Sequence, residues 1–252
     1  MRSLLIAASS LFVAIASCSS PATVHGIFVA PQSLDELQDE HFFDHPFPSD
    51  IRRDPDGKIH IAGMLNPTNN LTVKQYVDMT KGLLDGFSPA AAAYFLFDGD
   101  LEPTSLPASP TDALSIASSI QLVDIDPQSP EHGQRKLLEW YFRGAEGGLY
   151  WMPHTLAIAP AHGYPLRPKT RYALVATRAL RSFDGGMVFP SRDLLEVLDL
   201  LPVEAHAQAT HDAFAPAVTE VVNAGVAKDQ IAQLTVFTTN DPTGELFRVI
   251  DS

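Results

Sequence analysis

Cysteine, positive charge and membrane-spanning hydrophobic runs are all scarce in this chain of 252 residues. The single cysteine, Cys18, can form no internal disulfide and cannot supply a thiolate metal cluster. Lysine and arginine number 17 against 30 aspartates and glutamates, which gives a formal net charge of −13. Because so acidic a surface repels phosphate groups, we expect no nucleic-acid partner.

One apolar run lies at the amino terminus. Arg2 precedes an uncharged apolar stretch from Leu4 to Ala16, and the next charged residue is Asp35. This stretch of 13 residues is shorter than the roughly 20 that a helix needs to cross a bilayer. The pattern therefore predicts a cleaved export signal over residues 1–17 rather than a permanent membrane span.

The residues around Cys18 resemble a bacterial lipobox. The sequence Ile15-Ala16-Ser17-Cys18 is similar to the cleavage site of bacterial lipoproteins, in which the signal is removed before the cysteine. That resemblance implies a diacylglycerol on the Cys18 thiol and a fatty acyl group, such as palmitate, on its new amino group. Ser19 stands where an aspartate often means inner-membrane retention, so we expect an outer-membrane location. The Ser- and Pro-containing stretch that follows predicts a lipidated tether over residues 18–40.

The rest of the chain is predicted to be mainly β. Its 20 prolines and 15 glycines are too frequent for a helical bundle and favour short strands joined by turns. Apolar patterns predict strands in the aromatic run ending at Phe97 and over residues 120–125, 137–142, 155–160, 172–177 and 233–239. Helical spacing predicts one helix over 69–84 and another over 204–224, the second stopped by Gly225.

A corner motif precedes the fifth of these strands. Leu166-x-Pro168-x-Thr170-x-Tyr172 resembles the entry to the penultimate strand of fibronectin type III and bacterial Ig-like domains. The resemblance implies an Ig-like β-sandwich with an added helix near the carboxyl terminus. In it, Leu166, Pro168 and Tyr172 form a structural corner, and the tyrosine hydroxyl ties the corner to upstream backbone. We expect an amino-terminal β-rich region over 41–145 and the Ig-like strands, helix and terminal strand over 146–252.

A wider resemblance covers most of residues 42–244. It rests on the order of Pro46-Phe47-Pro48-Ser49-Asp50, Asp85-Gly86-Phe87-Ser88, the corner motif, Ala224-Gly225-Val226 and Thr235-Val236-Phe237-Thr238-Thr239. This order is similar to the non-catalytic amino-terminal region of bacterial lipoproteins whose carboxyl-terminal half is a lipase- or esterase-type α/β-hydrolase. The resemblance implies an accessory module whose catalytic domain, a hydrolase in cis, is absent from these 252 residues.

Catalytic motifs give little support to an enzyme. An α/β-hydrolase places its serine in Gly-x-Ser-x-Gly, and the nearest sequence here is Gly86-Phe87-Ser88-Pro89-Ala90. Pro89 has no amide hydrogen where an oxyanion donor would stand, so Ser88 is interpreted as a turn residue. We expect no catalytic residue and no cofactor.

Paired histidines and aspartates are the remaining candidates for metal chemistry. They are His41/His45, His206/His211, Asp54/Asp56, Asp98/Asp100 and Asp124/Asp126. The histidine pairs lack cysteine partners and a His-Glu-x-x-His pattern, and the aspartate pairs do not continue into a calcium-binding loop with a terminal Glu. We expect no metal site and interpret the aspartates as turn caps.

Two alternatives stay open. A stand-alone envelope lipoprotein would bind a ligand or partner through acidic loops and the aromatic residues Trp140, Tyr141, Tyr150 and Trp151, although core packing is the simpler role for these rings. A complete hydrolase would use a site that no motif reveals.

Overall fold

The structure, a computed structural model, describes residues 22–145, 150, 152–244 and 249–250. The predicted signal, Cys18, Ser19 and Trp151 lie outside the described residues.

The described residues form eight strands and three α-helices. The strands are β1 (Val24–Ile27), β2 (Ala93–Phe97), β3 (Ile120–Asp124), β4 (Leu138–Arg143), β5 (Thr155–Pro160), β6 (Arg171–Thr177), β7 (Val188–Phe189) and β8 (Ile231–Thr238). The helices are α1 (Leu71–Thr80), α2 (Arg192–Val197) and α3 (Gln208–Asn223). The prediction of a mainly β fold is confirmed.

The strands belong to two sheets. One has five strands in the order β4-β5-β2-β1-β7, and the other has three in the order β3-β6-β8. Neighbouring strands are antiparallel except β1 and β7, which run parallel. The chain passes from β5 in one sheet to β6 in the other, so the turn between these two predicted strands connects the two sheets.

Two apolar cores separate three layers. Phe95 and Ile158 of the five-stranded sheet pack with Leu122 and Leu174 of the three-stranded sheet, as alternate side chains of facing sheets do. The other face of the three-stranded sheet is covered by α2 and α3 through residues such as Phe214. The three-stranded sheet is therefore buried on both faces, which explains the continuous apolar character of β6.

Residues 24–40 of the predicted tether over 18–40 include a strand and buried side chains. β1 pairs with β2 and β7 inside the five-stranded sheet, and the side chains of Phe28 and Leu37 are buried. Gly26 lets β1 cross β8 closely, since a Cβ there would lie 2.6 Å from Cγ of Gln233. The segment lacks a long apolar pattern, and tertiary contacts alone make it a strand.

Strands from the two sides of the predicted boundary between residues 145 and 146 are mixed in both sheets. β2 pairs with β5, and β3 pairs with β6, so strands from both predicted regions share both sheets. Local sequence patterns indicate where a strand lies but not which strand it pairs with, so they do not predict these long-range pairings.

The structure places α1 and α3 within the predicted helical ranges, but many of their apolar residues are not buried. Gly225 follows α3 with φ of +92°, the left-handed conformation that ends helices, as expected. Of the apolar residues of α3, Phe214 and Val218 are buried, but Ala209, Ala213 and Val222 are exposed. α1 buries no residue, and Tyr76 is 66% exposed. α2 was not predicted, because its six residues are too few for a clear period.

Candidate functional site

Four of the five quoted motifs meet around the end of β8. The other, Ala224-Gly225-Val226, follows α3 and lies beside Ile116. Residues 48–50, 85–87, 166–172 and 237–239, here called the motif junction, contact one another although up to 188 positions separate them, the spacing of Asp50 and Thr238. The contacts combine backbone pairing, charged hydrogen bonds and aromatic packing. This convergence makes the motif junction the candidate functional site.

Asp50 connects the first motif to β8. Ser49 caps the short helical turn Asp50–Arg52 by accepting from the Ile51 amide. This turn directs the Asp50 carboxylate at Thr238, whose amide and hydroxyl donate to it at 3.0 and 2.7 Å. Arg53 adds a donor at 3.3 Å. A partly buried carboxylate with three donors fixes the end of the strand.

His45 and Ser49 form a buried pair beside this turn. The Val29 carbonyl accepts from Nδ1 of His45 at 2.8 Å, so Nε2 accepts from the Ser49 hydroxyl at 2.9 Å. Burial lowers the pKa of His45 to about 3, which keeps the ring neutral. Both side chains have 0% exposure, so this pair supports the fold and is closed to a substrate.

Arg52 is buried in the same turn. Its side chain is 1% exposed, Nη2 donates to the Phe42 carbonyl at 2.8 Å, and the guanidinium lies 4.0 Å above the Phe42 ring. Burial lowers the pKa of Arg52 to about 10. A cation over an aromatic face replaces part of the hydration that Arg52 loses.

The corner motif forms the second side of the junction. The Tyr172 hydroxyl accepts from the Arg167 amide at 3.0 Å, and the buried ring packs with Phe237. Burial raises the pKa of Tyr172 to about 12. Leu166 lies in the core, and the Pro168 carbonyl accepts from the Thr170 hydroxyl at 2.9 Å. The tyrosine thus holds the turn that enters β6.

The Gly-Phe-Ser motif forms the third side. The Phe87 amide donates to the Thr238 carbonyl at 2.9 Å, and the Asn240 amide donates back to Phe87 at 2.8 Å. A Cβ on Gly86 would lie 2.5 Å from the Asn240 nitrogen, so only glycine fits this close approach. Ser88 is exposed, and its hydroxyl accepts from the Ala90 amide within the same turn.

Thr238 and Thr239 belong to the last quoted motif, but sequence reasoning assigned neither residue a role of its own. The Thr239 hydroxyl donates to the Arg167 carbonyl at 2.6 Å and accepts from the Thr170 amide at 3.0 Å. Two adjacent threonines directly after the apolar pair Val236-Phe237 are the feature of the sequence that points to such contacts.

The paired histidines and aspartates that were candidates for metal binding make individual contacts with neighbouring groups. Eight of the nine histidines lie within 4 Å of a carboxylate, and His45 is the exception. The histidine partners include Asp54, Asp98 and Asp100 from the predicted aspartate pairs, and Asp124 accepts from the Asp126 amide in a turn. The described residues contain no group of three or more His, Cys, Asp or Glu positioned to hold a metal ion.

An apolar pocket opens on the outer face of the five-stranded sheet. Its volume is about 260 Å³, and its lining includes Phe43, Phe47, Met64, Tyr94 and Leu96. Of the predicted aromatic group, Trp140 packs against the core, whereas Tyr141 is 60% exposed and Tyr150 lines this pocket.

The chain matches no protein-family model and no curated protein sequence. Among the described residues, no helix is both long enough and apolar enough to cross a bilayer.

Proposed function

We propose that this protein is a lipid-anchored lipoprotein of the bacterial envelope and that its fold is the non-catalytic accessory module of an extracellular lipase- or esterase-type hydrolase. Acyl chains on Cys18 would hold it in the outer membrane. The observation that carries this proposal is the motif junction. Four of the five motifs that resemble the accessory region of such lipoproteins come together around one strand end, as parts of one structural unit would. The Ig-like relationship belongs to the same proposal, supported by the Tyr172 corner.

The two ends of the fold suit an anchored spacer. β6 begins at Arg171, which pairs with Thr238 in the motif junction, and ends at Thr177. Beyond Thr177, the Ser182 hydroxyl donates to the Ala22 carbonyl at 2.7 Å. The seven residues of β6 span about 20 Å at roughly 3.3 Å per residue. The amino-terminal strand therefore enters at one end and β8 leaves at the other, which would hold a following hydrolase away from the bilayer.

The polar groups that could serve a hydrolase have structural roles here. Ser49 and His45 are buried against each other, and Ser88 accepts a hydrogen bond within its own turn. These contacts support a module that stabilises and positions rather than reacts.

Membrane fractionation and an activity assay test the proposal together. The full chain should sediment with membranes, and Cys18→Ala should move it to the soluble fraction, with Ser19→Ala as the matched control that stays bound. The purified chain should not hydrolyse short-chain p-nitrophenyl esters. Turnover that disappears in Ser49→Ala or Ser88→Ala would overturn the non-catalytic assignment.

The coding sequence gives a further test of the hydrolase link. An open frame that continues beyond codon 252 into a Gly-x-Ser-x-Gly elbow with later Asp and His residues supports the accessory role. A stop codon at that point, with no hydrolase alongside, would contradict it.

The apolar pocket favours a second candidate function, the binding of an apolar ligand by a stand-alone lipoprotein. Met64 lines the pocket and is 38% exposed, whereas Met79 on α1 is 68% exposed and is not among the lining residues. A pocket of this chemistry fits one acyl or aromatic group. Fatty-acid displacement of a bound fluorescent probe that is lost in Met64→Arg and retained in Met79→Arg would support this function. Equal signals in both variants would contradict it.

A further inference from the structure

The short segment before Ala22 restricts how the protein meets a membrane. This inference rests on the acylation of Cys18 proposed above. Four residue steps separate Cys18 from Ala22. An extended chain covers at most about 3.6 Å per residue, so Ala22 lies within about 14 Å of an acylated Cys18. The surface around Ala22 must therefore face the bilayer.

One loop contacts Ala22 directly. It covers residues 181–187 and is here called the anchor loop. The Ser182 hydroxyl donates to the Ala22 carbonyl at 2.7 Å, and the Val24 amide donates to the Met187 carbonyl at 3.2 Å. A Cβ on Gly186 would lie 2.2 Å from the Ala22 oxygen, so the loop and the entering chain are in close contact.

The anchor loop presents apolar side chains to solvent. Phe183 is 64% exposed and Met187 is 43% exposed. Their positions are set by backbone contacts, because Arg181 pairs with Met187 and the Phe183 amide donates to the Asp100 carbonyl at 2.9 Å. An exposed phenylalanine adds no hydrophobic stability to the fold itself, so Phe183 is available for apolar contact with something outside the fold.

Charged groups around the loop permit contact with a membrane. Arg178 lies over the Phe189 ring at 4.5 Å, and Arg181 begins the loop, so two cations lie here in a strongly acidic chain. The nearby carboxylates of Asp98 and Asp100 pair with His25 and His154. Asp184 in the loop and Glu102, whose amide donates to the Arg181 carbonyl, add two negative charges, so apolar contact rather than net attraction would bind the loop.

We propose that Phe183 and Met187 of the anchor loop insert into the interfacial region of a phospholipid bilayer, as a second membrane contact beside the acyl chains on Cys18. Side chains of this type enter membranes at the boundary of headgroups and acyl chains, to a depth of about 5–10 Å. The contact would fix the orientation of the module, with the motif junction directed away from the lipid.

A single-thiol label tests the insertion. Cys18 is the only cysteine and acylation consumes its thiol, so Phe183→Cys offers one free thiol for the fluorophore NBD. The acylated protein is placed in phosphatidylethanolamine and phosphatidylglycerol vesicles that contain a doxyl-labelled lipid quencher. The matched control is Tyr164→Cys, since Tyr164 is 63% exposed and lies in the turn between β5 and β6, at the opposite end of the fold.

We expect about twofold quenching at position 183 and none at position 164. Insertion to the depth of the interfacial region brings only the label at position 183 close to the lipid quencher. Absence of quenching at 183, or equal quenching at both positions, would overturn the inference alone. Two labels per molecule would reveal an unacylated Cys18 and overturn the proposed function together with this inference. Unfolding midpoints equal to that of the unsubstituted chain show that the labels report on the native fold.

Discussion

The two ends of the molecule are held by different kinds of contact. At the motif junction, Asp50, Tyr172 and Thr239 use side-chain groups to join segments that are far apart in sequence. At the opposite end, the anchor loop is held by backbone hydrogen bonds and by the Ser182 hydroxyl, and Phe183 is exposed. The difference indicates that the junction determines stability, whereas the anchor end has side chains available for contacts outside the fold.

The largest expected effect on stability is at Asp50. Asp50→Ala leaves the Thr238 amide and hydroxyl and the Arg53 guanidinium without their carboxylate. Leaving buried groups unpaired and losing hydrogen bonds to a charged group are both costly, so the free energy of unfolding should fall by about 3 kcal/mol. Urea denaturation measures it. Asp184→Ala, in the exposed anchor loop, should change it by less than about 0.5 kcal/mol, and equal losses would contradict the comparison of the two ends.

The next effect is a pH dependence from His45. Its pKa is lowered by burial to about 3 from an unfolded value of 6.5, so only the unfolded chain takes up this proton between those pH values. The contribution is fully present above about pH 6.5 and is lost as pH falls. The slope approaches about 1.4 kcal/mol per pH unit below pH 6, for a total near 2 kcal/mol by pH 5.

Other titrating groups act in different pH ranges. Asp85 and Glu131 have pKa values below their ordinary values of 3.8 and 4.5, so the stability that these carboxylates add is lost only as pH falls below those values. The raised pKa values of His41 and His211 have the opposite sign and act above pH 6.5. Urea unfolding from pH 6.5 to 5 should therefore show the slope in the unsubstituted chain and in His162→Asn, and lose it in His45→Asn. If the slope persists in His45→Asn, another titrating group must cause the pH dependence.

A smaller loss is expected from Tyr172→Phe. The substitution keeps the buried ring and removes the hydroxyl that accepts from the Arg167 amide. Losing one hydrogen bond in a partly buried corner should cost about 1 kcal/mol. The matched substitution Tyr164→Phe changes a ring that is 63% exposed and should leave the unfolding midpoint unchanged. Identical midpoints for both variants would show that the corner bond does not stabilise the fold.

The smallest effect is predicted for Phe183→Ser. An exposed loop side chain whose position depends on backbone bonds contributes less than about 0.5 kcal/mol to folding. Thermal unfolding of the chain in detergent would measure this. A loss as large as that of Asp50→Ala would mean that Phe183 packs within the fold.

Local patterns predicted the strands but not their partners. Residues 120–125 and 155–160 were predicted from apolar runs, and the structure places β3 and β5 within one residue of those bounds. β1 was missed because His25 and Gly26 interrupt any apolar alternation in its four residues. Its place in the sheet depends on strands more than 60 residues away, which no local pattern contains.

The candidate site was predictable in parts. The corner residues and the first motif were recognised in sequence, but their meeting at Thr238 and Thr239 was not, because hydrogen bonds across 188 residues leave no local signal. α1 shows the same limit for burial. Its spacing predicted a helix correctly, but whether Tyr76 faced a core depended on what packs beside it.

The mass of the mature amino-terminal peptide tests the proposed lipid anchor on Cys18 most directly. We predict that mass spectrometry of the membrane-bound protein finds a chain beginning at Cys18, with a diacylglyceryl group on sulfur and an acyl group on the terminal nitrogen. An unmodified Cys18 thiol, or a mature chain that begins elsewhere, would contradict the lipid anchor and the orientation inferred from it.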